Sequence, residues 1–154
     1  MIAEVSTESE LEELQNVLIE FYKMMPYKQL IKETKEGQEA SDLWIENWFF
    51  TIESGNGKIL ALKKDDKFIG AIGLILSPSL EDGVMTCMEA FWYVDENHRG
   101  QGLKLLLKAQ KLAKEMGAKR MMMMYLENSM PEKVKNVYEK MGYQLVQTTY
   151  FKEL

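Results

Sequence analysis

The chain holds one cysteine, Cys87, so it can form neither an internal disulfide nor a multi-thiolate metal site. Three prolines and ten glycines are too few for a long Pro/Gly-rich linker. The most apolar stretch, 68–76, is nine residues long and includes Gly70 and Gly73, far short of the roughly 20 residues a membrane span needs. The opening Met1-Ile2-Ala3-Glu4 has no basic-then-apolar leader. With the lone thiol, this points to a reducing cytoplasm and away from a membrane. No internal repeat occurs, and the one low-complexity tract is Met121 to Met124. The 46% apolar and 28% charged composition is too apolar for long disorder. One domain over residues 1–154 is expected.

Charge is unevenly divided. Residues 1–60 carry 5 lysines against 12 acids, whereas residues 98–140 carry 10 basic residues against 4 acids. An anion would be favoured near the second segment and a cation near the first. Two solvated faces of unlike charge would give the same count, so motifs must decide.

Thr7 with Glu10 forms a capping box ahead of Leu11, Leu14, Leu18 and Phe21, which predicts a helix over 8–22 closed by Pro26. Ser41 is the expected N-cap of a second helix with Trp44, Ile45, Trp48, Phe49 and Ile52 on its apolar side, ended by Gly55-Asn56-Gly57. Three strands follow: 58–63, a tight Asp65-Asp66 turn, 67–76, and 84–94. A helix over 102–116 ends at Gly117. A buried strand over 119–126, a helix from Pro131 to Met141 stopped by Gly142, and a terminal strand over 143–151 complete the order α-α-β-β-β-α-β-α-β.

The segment Tyr93 to Lys104 joins a strand to a helix through Gly100 and Gly102. Two closely spaced glycines ahead of a helix start allow backbone N–H groups and the helix dipole to meet a phosphate. Lys104, Lys108 and Lys111 crowd the start of this helix with no acid before Glu115, opposite to what the dipole favours, and a bound anion would relieve the conflict. A tight structural turn explains the glycines equally well. The Gly-Lys-Ser/Thr ending of a P-loop is missing, and Leu105 stands where a dinucleotide fingerprint needs its third glycine.

The run Val94 to Lys104, with Arg99 and Gly102 in place, resembles the pyrophosphate motif Q/R-x-x-G-x-G/A of the GNAT superfamily of acyl-CoA-dependent N-acyltransferases. Val137 to Tyr143 resembles that family's second signature, an apolar residue followed by Y-x-x-x-G-F/Y. The order of elements matches from about residue 8 to the end. The run Glu89 to Val94 and the closing Tyr150 to Leu154 are also similar to small members encoded by bacterial viruses. The resemblance implies an α/β (α+β) fold with a mixed, mostly antiparallel sheet and helices on both faces. It implies acetyl-CoA as cosubstrate, lying in a V-shaped opening between the fourth and fifth strands, and no metal. The backbone of Tyr93 and Val94 would pair with the pantetheine arm. The backbone of Arg99, Gly100, Gln101, Gly102, Leu103 and Lys104 would hold the pyrophosphate, with Lys104 or Lys108 assisting. Tyr138 would face the sulfur as the acid that protonates the departing thiolate. Two positions depart from the family: Lys104 replaces the last glycine or alanine, and Pro131 replaces an asparagine seven residues before the tyrosine, for which Asn128 is the candidate substitute.

A primary amine must lose a proton before attacking a thioester, so the site needs a base. Glu89, five residues before Val94, is the candidate; a carboxylate paired at the sheet edge is the competing account, because a strand bulge would rotate it. A backbone N–H near Tyr93 would meet the oxyanion. Cys87 reads as a core residue and not a nucleophile, His98 as a loop residue or a cofactor contact. Methionines 121–124 could bind copper only if they shared a face, which a strand forbids; burial on both sides explains the run. Trp44, Trp48 and Phe49 read as a packed helix face, with cation–π contact to an amine as the alternative.

The expected function is acetyl transfer to a primary amine of a cationic small molecule or of a protein or peptide; the acidic N-terminal half favours a cation. A homodimer is compatible with the sequence. A non-catalytic acyl-CoA-binding regulatory or scaffold module is the alternative, which Lys104 and Pro131 would permit and Tyr138 argues against. Action on aminoacyl-tRNA is disfavoured by a pI near 5.1.

Overall fold

The computed structural model describes residues 1–25 and 32–154. The elements are β1 (Ile2–Glu4), α1 (Glu8–Tyr22), α2 (Lys35–Glu53), β2 (Gly57–Lys64), β3 (Lys67–Pro78), β4 (Met85–Val94), a short 3-10 helix (Glu96–Gln101), α3 (Gly102–Glu115), β5 (Arg120–Met122) and α4 (Pro131–Lys140). One sheet runs in the order β1-β2-β3-β4-β5. Its first three pairings are antiparallel and β4–β5 is parallel, because α3 carries the chain across one face before β5.

The capping box forms: the Glu10 N–H donates to Thr7 Oγ1 and the Thr7 N–H to the Glu10 carboxylate, both at 3.2 Å. Helix α1 ends at Tyr22, and the expected stop, Pro26, lies outside the described residues. Asp65 and Asp66 both adopt positive φ, 49° and 61°, the left-handed pair that a two-residue hairpin turn requires. Gly117 and Gly142 take φ of 95° and 86° at the ends of α3 and α4, as helix-stop glycines do.

Four expectations are corrected. Helix α2 starts at Lys35 with Thr34 as N-cap, accepting from the Gly37 N–H at 3.0 Å. Ser41 lies inside the helix, because its buried hydroxyl donates to Gln15 Oε1 while Gln15 Nε2 donates to its carbonyl; a polar bond between helices had looked like a cap. An unforeseen strand, Ile2–Glu4, pairs with β2. Strand β5 is three residues long, and it ends the sheet. Met121, Met122 and Met123 are therefore half-buried and Met124 is 51% exposed, without the two-sided burial expected of them. No strand forms over 143–151: residues 144–154 are exposed, and β propensity without a face to bury does not hold a strand.

Two apolar clusters sandwich the sheet. On one face α1 and α2 bury Leu11, Leu14, Leu18 and Trp48 against Ile59, Ala71 and Phe91. On the other, α3 and α4 bury Leu105, Leu106, Ala109 and Tyr138 against Ile72, Leu74 and Cys87. Helices thus cover both faces, and the sheet is mixed and mostly antiparallel. Among the described residues no helix is long and apolar enough to cross a membrane.

Candidate active site

The site begins with a slip in register. Gly73 pairs with Phe91, but its neighbour Leu74 pairs with Glu89, so Ala90 is an extra residue in β4. Strand side chains alternate faces, and one extra residue reverses the alternation. Phe91 and Tyr93 therefore pack with the α1–α2 cluster, while Glu89 joins Cys87 on the α3–α4 side, opposite Leu74. In a regular strand Glu89, two residues before Phe91, would face the same way as Phe91.

The second contribution is a divergence of strands. Pairing between β4 and β5 ends at Met88 with Met122, although β4 continues to Val94. From Glu89 onward, that edge of β4 has no strand partner among the described residues. The chain after β5 turns its backbone into the gap. There the Met124 N–H donates to Glu89 Oε2 at 3.0 Å. The Tyr138 hydroxyl, entering from α4, donates to the Met124 carbonyl at 2.5 Å and lies 3.5 Å from Glu89 Oε2.

Glu89 is 5% exposed and Tyr138 7%. Burial pushes the Glu89 carboxyl up to about 7, against the opposing pull of the Met124 N–H and the Tyr138 hydroxyl. Burial and the Glu89 charge push the Tyr138 phenol well above its ordinary value, which keeps it protonated. The Tyr138 ring lies between Trp92, at 6.1 Å between centroids, and Tyr143, at 5.5 Å. Cys87 is fully buried beside the site, its thiol pushed up to about 11 by burial, as a core residue and not a nucleophile.

The glycine segment lies at the far end of β4. Asp95 caps the 3-10 helix, accepting from the Asn97 N–H at 2.9 Å and from His98 Nδ1 at 3.1 Å. The other nitrogen of His98 is 3.3 Å from Lys64 Nζ, so one ring nitrogen braces the loop on itself and the other ties it to β2. Arg99 reaches Met130 Sδ at 3.4 Å, at the start of α4. A methyl group on Gly100 would meet open space, and one on Gly102 would make only ordinary contact with Trp92. Neither residue takes positive φ. Internal packing thus demands neither glycine, and the free surface over Gly100 is room for a ligand to approach the backbone. Gln101 gives α3 no side-chain cap, and the first turn of α3 has no acid. Leu103 and Lys104 are exposed there. The Gly102 N–H donates back to the Arg99 carbonyl, so what the segment offers an anionic diphosphate is the start of α3, a first turn without an acid and the exposed Lys104.

Asn128 donates from Nδ2 to the Met24 carbonyl at 2.9 Å, tying the chain after β5 to the end of α1. Trp48 packs edge-on against Phe91 at 5.5 Å, and Trp44 Nε1 donates to the Tyr22 hydroxyl at 2.6 Å. Among the described residues, no group of three or more His, Cys, Asp or Glu side chains is arranged to hold a metal ion. Sequence reasoning missed the Met124 backbone, which joins Glu89 to Tyr138, because a peptide group leaves no signature in residue type. It also missed the bond from Gln110 Nε2 to the Tyr143 hydroxyl, at 2.7 Å.

The family model described as Acetyltransferase (GNAT) family matches residues 13–143. Among solved structures, the chain is similar to a ribosomal-protein-alanine N-acetyltransferase from Brucella melitensis biovar Abortus 2308, with 15% identity, a TM-score of 0.70 and coverage of 100% of this chain and 99% of that one. A putative acetyl transferase from Pyrococcus furiosus gives 22% identity and a TM-score of 0.71, each chain covered in full. An aminoglycoside acetyltransferase from an uncultured soil metagenomic sample gives 16% identity and a TM-score of 0.70, covering 100% of this chain and 97% of that one. At such identities these likenesses concern the fold. A comparison with curated proteins finds no match. The family match spans both glycine and tyrosine motifs and most of the chain, and the protein belongs to the GNAT acetyltransferase family.

Proposed function

We propose that this chain, acting as one unit over residues 1–154, transfers an acetyl group from acetyl-CoA to a primary amine of a cationic small molecule or of a protein or peptide. The observation that carries the reading is the meeting of Tyr138 and Glu89 where β4 and β5 part. Bound acetyl-CoA supplies an activated acetyl thioester.

The backbone of Arg99 to Lys104 grips the pyrophosphate, with Lys104 or Lys108 adding positive charge. The unpaired edge of β4 at Tyr93 and Val94 offers backbone groups to the pantetheine arm. Asn128, whose Nδ2 is held by Met24, keeps its Oδ1 for an amide of that arm. Once the amine has given its ammonium proton to solvent, Glu89, half ionised near pH 7, takes a second proton from its nitrogen, directly or through water, as it attacks. Tyr138 gives its phenolic proton to the sulfur as the carbon–sulfur bond breaks and the carbon–nitrogen bond forms. The proton gained by Glu89 then crosses to the Tyr138 oxygen, 3.5 Å away, and both groups return to their starting states. The net transfer is one proton from amine to thiol.

The acidic N-terminal half supports a cationic acceptor. The test is thiol release from acetyl-CoA with purified protein and a panel of small amines, polyamines, aminoglycosides and peptides with free amines. Release with one class establishes the reaction and its acceptor class. Tight acetyl-CoA binding without release from any of them would overturn the small-amine and peptide reading in favour of a non-catalytic acyl-CoA-binding module or of a large protein acceptor outside the panel.

A further inference from the structure

Helix α4 brings the Tyr138 hydroxyl to the gap, yet Tyr138 is its one buried residue. Val134 and Val137 are half-buried against the same cluster. A helix of ten residues held this lightly needs other fixings to keep a phenolic oxygen in place. At its N-terminal end Arg99 touches Met130, and Lys135 lies over the Tyr125 ring at 4.7 Å. At its C-terminal end the chain turns at Gly142, and Tyr143 returns along the helix. The Tyr143 N–H donates to the Tyr138 carbonyl at 2.9 Å, and the two rings are in contact. The Tyr143 hydroxyl in turn accepts from Gln110 Nε2 on α3.

We infer that Gln110 is a positioning residue for this reaction, fixing Tyr138 through Tyr143. The inference rests on the acid role proposed for Tyr138. The physical argument is one of common footing. Helix α3 begins at Gly102, inside the proposed pyrophosphate cradle, and Gln110 stands eight residues along it, about 12 Å at 1.5 Å per residue. One rigid helix therefore holds both the diphosphate grip and the anchor of the acid. The distance between cradle and Tyr138 is set by α3 and not by the long loop between β5 and α4. Removing the Gln110 bond leaves Tyr143 to pack as an aromatic ring, with nothing polar to fix its angle against Tyr138.

The test uses Gln110→Leu and Tyr143→Phe in the full chain, with spermidine and a lysine-containing hexapeptide as acceptors. Each variant is expected to lower kcat about five-fold while the acetyl-CoA Kd moves less than about two-fold, since the cradle is untouched. Each substitution placed in a Tyr138→Phe background should lower kcat no further, because the group they position is gone. Hydrogen exchange over residues 131–143 should be about ten-fold faster in both variants than in the parent. An additive loss on top of Tyr138→Phe, or a shift in Kd equal to the shift in kcat, would show general structural damage and overturn the inference. Unchanged exchange in α4 would overturn it even if neither acceptor reacts. A large effect of Tyr138→Phe with none from Gln110→Leu would leave the proposed function standing and remove Gln110 from it. No effect of Tyr138→Phe would remove the acid role and this inference with it.

Discussion

The Tyr138 hydroxyl lies 3.5 Å from the Glu89 carboxylate, although 49 residues separate them in the chain. Both hold the backbone of Met124, one through its N–H and the other through its carbonyl. The pair meets in the gap between β4 and β5, and a phenol and a carboxylate so placed can pass a proton between them.

Tyr138→Phe removes the phenolic proton and keeps the ring between Trp92 and Tyr143. Turnover should fall about 100-fold, within the usual range for loss of a general acid, while acetyl-CoA affinity changes little. Steady-state thiol release and calorimetric titration check this; equal turnover would take Tyr138 out of the acid role.

In the proposed mechanism Glu89 sets the pH dependence of the rate. A base with its pKa raised to about 7 is ionised above that pH, so kcat/KM should climb through neutrality. Glu89→Gln should cut kcat/KM about 100-fold and remove the inflection near 7. A profile with the inflection intact would place the base elsewhere.

The same group should shape stability, with the opposite sense to an ion-paired carboxylate. Its folded pKa is raised from 4.5 to about 7. Between those values the folded state holds a proton that the unfolded state has lost, so stability falls as pH rises and levels off above about 7. The loss is on the order of 3 kcal/mol. Urea midpoints of parent and Glu89→Gln should therefore diverge across this window, the variant being more stable at pH 8. Glu10, Asp82 and Asp95, whose values are lowered, act in the contrary direction at more acidic pH.

Gly100 and Gly70 should respond in opposite ways. Gly100→Val projects into open space, so its melting temperature should stay within about 2 °C, as for an exposed substitution, while acetyl-CoA Kd rises about ten-fold. Gly70→Ala would bring a methyl group to 2.6 Å from the Tyr93 carbonyl and 2.8 Å from Val94 Cα. Backbone cannot yield as a flexible side chain does, and overpacking of this kind costs roughly 1–3 kcal/mol. A stable Gly70→Ala protein, or tight acetyl-CoA binding by Gly100→Val, would contradict these placements.

The amino-acid sequence by itself determined the features that depend on neighbours within a few residues. The Thr7–Glu10 box, the Asp65-Asp66 turn, the glycine stops at 117 and 142 and the apolar faces of α1 and α3 follow from capping, backbone sterics and the helical period. The Arg99 to Lys104 segment and the Tyr138 motif belong to the same class, since each is carried by consecutive residues. Tertiary structure decided the rest. Ser41 looked like a cap until Gln15 claimed its hydroxyl from another helix, and residues 143–151 had strand propensity but lie, from 144 on, exposed and outside the sheet. Above all, Ala90 turns Glu89 toward Tyr138 through a register slip against β3. The two partners of a strand pair lie far apart in the chain, and their relative register is settled only when both sheet faces are packed.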